Sequence, residues 1–267
     1  MHAVRVITWN IGVADRLRRF VKTHEQAWRY LVGLSLDLAF LQETFPPDWV
    51  EGEGRVVHDP FGKWGSLIFS PTLAIEPFAL PENSSLRALP KYLAFGEAPL
   101  PDGTQAIAAS IHAPPRRAEG DILGGRDPVK LRRSVEGPKF NDAIFAGLAP
   151  LVEDRRFILV GDWNTARHQG TVRASRAGER FFARVHEARW YDCVWDTRQD
   201  EIRTWFGREA SAGRLHLLRP IAGLVSGRGF SGRGAATDRH LSDHAPLIVD
   251  FDLGPTWLGG RSPRDTR

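Results

Sequence analysis

Apolar residues are distributed along the chain in two patterns. Short runs, unbroken or alternating, recur at 4–10 (VRVITWN), 37–42 (DLAFLQ), 66–70 (SLIFS), 73–78, 91–97 (KYLAFGE), 105–112 (QAIAASIH), 157–161 (FILVG) and 245–252 (APLIVDFD). Runs of this length bounded by polar or turn residues predict strands, and the unbroken ones predict strands covered on both faces. The PDG at 101–103 marks a turn between two of them. Helical spacing appears at 15–33, where Leu17, Phe20, Val21, Trp28, Leu31 and Val32 provide the apolar positions and Gly33 a stop. A second helix is predicted over 140–153. Strand, helix and strand in that order predict a β-α-β start.

Three stretches read as long loops: 113–139, rich in Pro, Gly and Arg; 165–180, rich in Arg; and 219–240, rich in Gly. Loops of that length in a compact domain are uncommon and often functional. Nothing between the strands reads as a linker, so 1–253 is expected to form one domain. Residues 254–267, with Pro, Gly and alternating charges, read as a flexible C-terminal tail.

Composition narrows the class. Of 267 residues, 42% are apolar and 25% charged, which is ordinary for a soluble globular protein. Cys193 is the single cysteine, so no intrachain disulfide can form. The stretch from Tyr30 to Leu41 is broken by Ser35 and Asp37 and is shorter than the roughly 20 apolar residues that span a bilayer. The start, MHAVRVITWN, reads as a first strand and not as a signal peptide. A cytoplasmic protein is therefore expected. The formal charge of +4 and pI of about 9.6 favour polyanionic partners. Arginine outnumbers lysine, which suits bidentate phosphate contacts, although GC-rich coding produces the same bias.

The chemistry gathers at four short pieces, each directly after an apolar run: TWN (8–10), LQET (41–44), GDWN (161–164) and SDH (242–244). Strand ends on one edge of a sheet converge on one crevice. Convergence here brings together Asn10, Glu43, Asp162, Asn164, Asp243 and His244. Oxygen ligands such as Glu and Asp suit Mg²⁺, and no Cys/His cluster of zinc type is present in the sequence. A carboxylate can orient or deprotonate water, and a histidine can stabilise an oxyanion or pass a proton. Asp162 and Asn164 are equally the residues of an Asx-type turn.

These four pieces, in order from about residue 4 to residue 252, resemble the endonuclease/exonuclease/phosphatase superfamily, which includes deoxyribonuclease I. The resemblance implies an α/β, four-layer sandwich: two mixed β-sheets packed face to face with helices outside. It also implies a metal-dependent hydrolase of phosphoric esters using Mg²⁺ or Mn²⁺. Carried over, Glu43 is the principal metal carboxylate, Asn10 supports metal and phosphate, and Asp243 is the second acid near the metal. Asp162 activates the water, Asn164 is its amide partner, and His244 contacts the scissile phosphate. His112, in SIHAPP, matches a second phosphate-binding histidine. Asp192, with Thr204 and Trp205, resembles a segment that shapes the substrate side of the cleft.

One departure from the family pattern stands out. The family carries an Asp that orients its catalytic histidine, but the matching segment here, GRLHLL (213–218), offers only Leu215 or His216. Asp238 is the nearest acidic candidate from the following loop. The basic balance favours nucleic acid, DNA or RNA, as substrate. A small-molecule or lipid-headgroup phosphoesterase, of sphingomyelinase or inositol-phosphatase type, is the alternative, and a non-catalytic binding module on the same fold is a third reading.

Overall fold

The computed structural model describes residues 2–12, 20–58, 64–115, 139–153, 155–165, 172–190, 192 and 246–253. Strands β1 (His2–Asn10), β2 (Leu38–Thr44), β3 (Arg55–His58), β4 (Gly65–Ser70) and β9 (Leu247–Leu253) form a sheet in the order β3-β4-β2-β1-β9. Strands β5 (Glu76–Pro77), β6 (Leu93–Pro99), β7 (Gln105–His112) and β8 (Phe157–Asp162) form a second sheet in the order β5-β6-β7-β8. Both sheets are mixed, with one parallel pair each among the described residues, β1 with β2 and β7 with β8.

Alternation along the strands sorts side chains into layers. Val4, Val6, Leu38 and Phe40 face Ala94, Ala106, Ala108, Ile158 and Val160 between the sheets. The intervening Ile7, Trp9, Ala39 and Leu41 pack on Ala27, Trp28 and Leu31 of helix α1 (Phe20–Val32). On the far side, Phe95, Ile107, Ala109, Phe157 and Leu159 meet helices α2 (Phe140–Leu148) and α3 (Val172–Glu187) through Phe140, Ile144, Phe181, Phe182 and Val185. The order helix, sheet, sheet, helices is the expected four-layer α/β sandwich. Each large side chain buried this way contributes about 1.5–3 kcal/mol.

Several element boundaries differ from expectation. Within the expected loop 165–180, helix α3 begins at Val172 and runs to Glu187. Among its residues of described burial, the buried large apolar positions are Phe181, Phe182 and Val185, and the run 173–180 before them holds no large apolar residue, which hid the period. Arg184 of α3 pairs with Asp142 of α2 and lies over the rings of Phe145 and Phe181. The predicted helix 140–153 stops at Leu148 and tightens into a 3-10 turn at Ala149–Leu151, where Pro150 cannot donate a helical bond. The run 73–78 forms only the short strand Glu76–Pro77. Strand β3 escaped the pattern because its four residues include the exposed Arg55 and His58.

Candidate active site

Four strand ends arrive at one edge of the sandwich. β1 finishes at Asn10 and β2 carries Glu43 beside it, with Asn10 in register with Gln42. β7 finishes at His112, in register with Asp162 at the end of β8. Because both pairs are parallel, the chemistry-bearing ends lie on the same side of each pair. A buried polar clamp fixes one sheet against the other. Gln42 Nε2 donates to Ser110 Oγ at 3.0 Å and to the Phe40 carbonyl at 3.0 Å, and Ser110 Oγ donates to the Leu41 carbonyl at 2.9 Å.

Asn10 sits at the centre. Its Nδ2 donates to Asp162 Oδ2 at 3.1 Å and to Glu43 Oε1 at 3.3 Å, so one amide bridges two carboxylates from different sheets. Its Oδ1 accepts from the backbone N–H of Gly12 at 3.0 Å, which fixes the amide's orientation. His112 Nε2 lies 3.2 Å from the same Glu43 oxygen. Asn10 and His112 are buried, and Asp162 is fully so, while Glu43 keeps 19% of its side chain open. Glu43 is thus the more open of the two carboxylates.

The backbone is specialised at both carboxylates. Glu43 does not follow the end of its strand, as the sequence pattern suggests. It lies inside β2 at a bulge, where pairing with β4 shifts between Leu41 and Thr44, and it adopts a left-handed φ of 51°. Bulges re-aim side chains beside active sites. In GDWN, Gly161 is dictated by space, since a Cβ there would stand 1.9 Å from the Ile111 carbonyl oxygen. Asn164 has φ 48°, and its N–H donates to Asp162 Oδ1 at 3.0 Å, which is the Asx turn anticipated from the sequence. Asp162 thus has one oxygen held by the turn and the other by Asn10. The buried Asn164 Nδ2 has no hydrogen-bond partner among the described residues. Trp163, between them, faces the other way and packs on Phe181 of α3.

Asn10, Glu43, His112, Asp162 and Asn164 are therefore brought together. Asp192 is fully buried, two residues beyond Trp190. Asp243, His244, Thr204, Trp205, the segment 213–218 and Asp238 lie outside the described residues, as does the tail 254–267. Among the described residues no three His, Cys, Asp or Glu side chains cluster as a metal site. The side chains brought together are two carboxylates, two amides and an imidazole, and the pair of carboxylates fits a hard divalent cation better than zinc. No described helix is long and apolar enough to cross a membrane.

Two features had no sequence motif. Beside His112, whose ring centroid is 5.8 Å from that of Tyr92, Lys91 places its ammonium 5.2 Å from the Trp64 ring and 5.0 Å from the Tyr92 ring. Trp64 immediately precedes Gly65, the partner of Thr44. Behind Glu43, His24 and Trp28 of α1 hydrogen-bond to Thr44. The one available signal for this second feature was a histidine one helical turn from a tryptophan on the apolar face of α1.

The sequence matches no protein-family model and no curated protein. Solved structures match the fold. The endonuclease domain of TRAS1, a telomere-specific non-LTR retrotransposon, aligns with a TM-score of 0.56 at 14% identity, over 94% of this chain and 99% of that one. D. rerio TDP2 complexed with a single-strand DNA product aligns with a TM-score of 0.56 at 15% identity, over 95% of this chain and 100% of that one. An endonuclease/exonuclease/phosphatase family protein from Leptotrichia buccalis aligns with a TM-score of 0.56 at 14% identity, over 94% of this chain and 100% of that one. The likeness is one of architecture carried along nearly the whole chain, and that architecture is the fold of the endonuclease/exonuclease/phosphatase superfamily.

Proposed function

We propose that this chain is a divalent-metal-dependent phosphodiesterase acting on nucleic acid. The observation that carries the reading is the Asn10 amide bridging Glu43 and Asp162, with His112 on the same Glu43 oxygen. Glu43, the more open carboxylate, would hold Mg²⁺ or Mn²⁺ together with Asp243, and Asn10 would keep the carboxylates apart and aimed. Such an ion, when bound, neutralises charge building on the phosphoryl oxygens. Asp162, locked by Asn10 and the Asn164 turn, is suited to orient the attacking water and take its proton. The Asn164 amide is available to that water or to a phosphate oxygen. His112 and His244 would donate to non-bridging oxygens.

Nucleic acid is favoured over a small phosphoester by the rim and by charge. Lys91 between two aromatic planes suits a backbone phosphate next to a stacked base. The net charge of +4 acts in the same direction. The similar D. rerio TDP2 structure holds a single-strand DNA product. The test is turnover on single- and double-stranded DNA, RNA, sphingomyelin, an inositol phosphate and a generic phosphodiester, with Mg²⁺, with Mn²⁺ and with EDTA. Metal-dependent cleavage of a nucleic acid supports the reading. Cleavage confined to sphingomyelin or inositol phosphate would move it to the headgroup class, and no turnover on any of them would favour a binding module.

A further inference from the structure

We infer that His24, Trp28 and Thr44 form a latch that positions Glu43 for metal binding, an inference that rests on the metal role proposed for Glu43. Thr44 directly follows Glu43, at the point where the β2–β4 pairing resumes after the bulge, opposite Gly65. Its hydroxyl lies 2.9 Å from His24 Nε2 and accepts from Trp28 Nε1 at 3.2 Å, and the same indole N–H lies 3.2 Å from His24 Nε2. His24, Trp28 and Thr44 are all buried. The His24 ring also stacks on Phe45, with ring centroids 4.2 Å apart. Helix α1 therefore grips the residues on the far side of Glu43 twice, once through a hydroxyl and once through a ring.

A core built only for stability has little use for this arrangement. Polar groups buried in an apolar layer gain little net stability over well-packed apolar residues, yet each must be satisfied. Here the polar atoms converge on one hydroxyl, beside the one carboxylate among the described residues in a left-handed backbone conformation. A non-glycine residue in that region is strained and persists only where its surroundings over-determine it. The latch supplies that determination from the helix side, as the Gln42–Ser110 bond supplies it from the opposite sheet. Glu43 is thereby held with its oxygen toward Asn10 and His112 before any ligand arrives. His24, Trp28 and Thr44 are positioning residues: they act through Glu43 and touch no substrate.

The test is calorimetric Mn²⁺ titration of the folded protein, alongside its melting curve and turnover. Thr44→Val removes the hydroxyl and keeps the shape, Thr44→Ser restores the hydroxyl, and Trp28→Phe removes the indole N–H together with part of the buried ring. Thr44→Val and Trp28→Phe are expected to weaken Mn²⁺ binding at least tenfold while still melting cooperatively, with Thr44→Ser within threefold of the parent. Where Thr44→Val does not fold, Trp28→Phe carries the comparison. If the parent binds Mn²⁺ and Glu43→Gln abolishes binding, but the folded latch variants bind within twofold of the parent, the latch is overturned and the metal reading stands. If Glu43→Gln leaves Mn²⁺ binding unchanged, the metal reading fails and the latch falls with it.

Discussion

Gln42 Nε2 donates to Ser110 Oγ at 3.0 Å, with both side chains fully enclosed between the two sheets. Gln42 immediately precedes Glu43, and Ser110 lies two residues before His112, so this one bond sets the spacing of two site residues carried by different sheets. Thr8 Oγ1, 3.5 Å from Gln42 Oε1, faces the amide's remaining acceptor.

Gln42→Leu removes the donor to Ser110 Oγ, which keeps its own bond to the Leu41 carbonyl, and the lost buried hydrogen bond is worth about 0.5–1.5 kcal/mol. The expected result is a lower urea midpoint at unchanged slope. Gln42→Leu with Ser110→Ala should cost less than the sum of the single variants, because each single change already breaks the same Gln42–Ser110 bond. Additive costs would mean that the two side chains do not cooperate.

Gly161→Ala is expected to be far more damaging than its size suggests. The added methyl would stand 1.9 Å from the Ile111 carbonyl, in backbone that cannot swing aside. A loss of about 3 kcal/mol or more is expected, at the upper end for overpacking. Thermal melting reads it, and a variant within about 1 kcal/mol of the parent would show that β7 and β8 can separate there.

Stability should depend on pH through His24. Burial holds its folded-state pKa at about 4, below the ordinary 6.5, and a backbone hydrogen bond to Phe45 opposes that shift only in part. The unfolded chain therefore binds the proton more tightly than the folded one. The contribution is complete above pH 6.5 and is lost as pH falls from about 6.5 to about 4. It amounts to on the order of 3 kcal/mol. Urea unfolding across that range measures it, and His24→Leu should flatten the part of the slope that belongs to this group. An unchanged slope in His24→Leu would assign the pH dependence elsewhere.

Lys91→Ala should weaken nucleic-acid binding and lower the dependence of log K on log salt by about 0.7–0.9, the value of one phosphate contact. Trp64→Ala should weaken binding without changing that slope, because stacking releases no counterions. Fluorescence anisotropy with a labelled oligonucleotide across salt concentrations separates the two. A Lys91→Ala variant with the parent's slope would remove Lys91 from the substrate path.

The scaffold was legible where chemistry and burial repeat with a simple period. β1, β2, β4, β7 and β8 are nearly continuous buried runs, and four of them end in or contain Asn10, Glu43, His112 and Asp162. Period alone could not show the bulge at Glu43, because the register depends on β4, whose pairing is tertiary. Helix α3 was hidden because 173–180 holds no large apolar residue and its apolar stripe is short. His24 carried no motif, since its partner Thr44 is twenty residues away and meets it only through packing. Gly161 and Asn164 were legible as a motif, but their reasons, a 1.9 Å clearance and a left-handed turn, required the backbone.

The measurement that most directly tests the catalytic account is single-turnover hydrolysis of a labelled oligonucleotide by the parent and by Asp162→Asn, with Mg²⁺ and with excess EDTA. The exchange is nearly isosteric, and the remaining oxygen keeps one of the two bonds, to Asn10 or to the Asn164 turn. The account predicts metal-dependent cleavage by the parent and a rate lower by about 100-fold or more in the variant, the typical worth of a general base. Undiminished cleavage in EDTA, or a variant within about threefold of the parent, would contradict it.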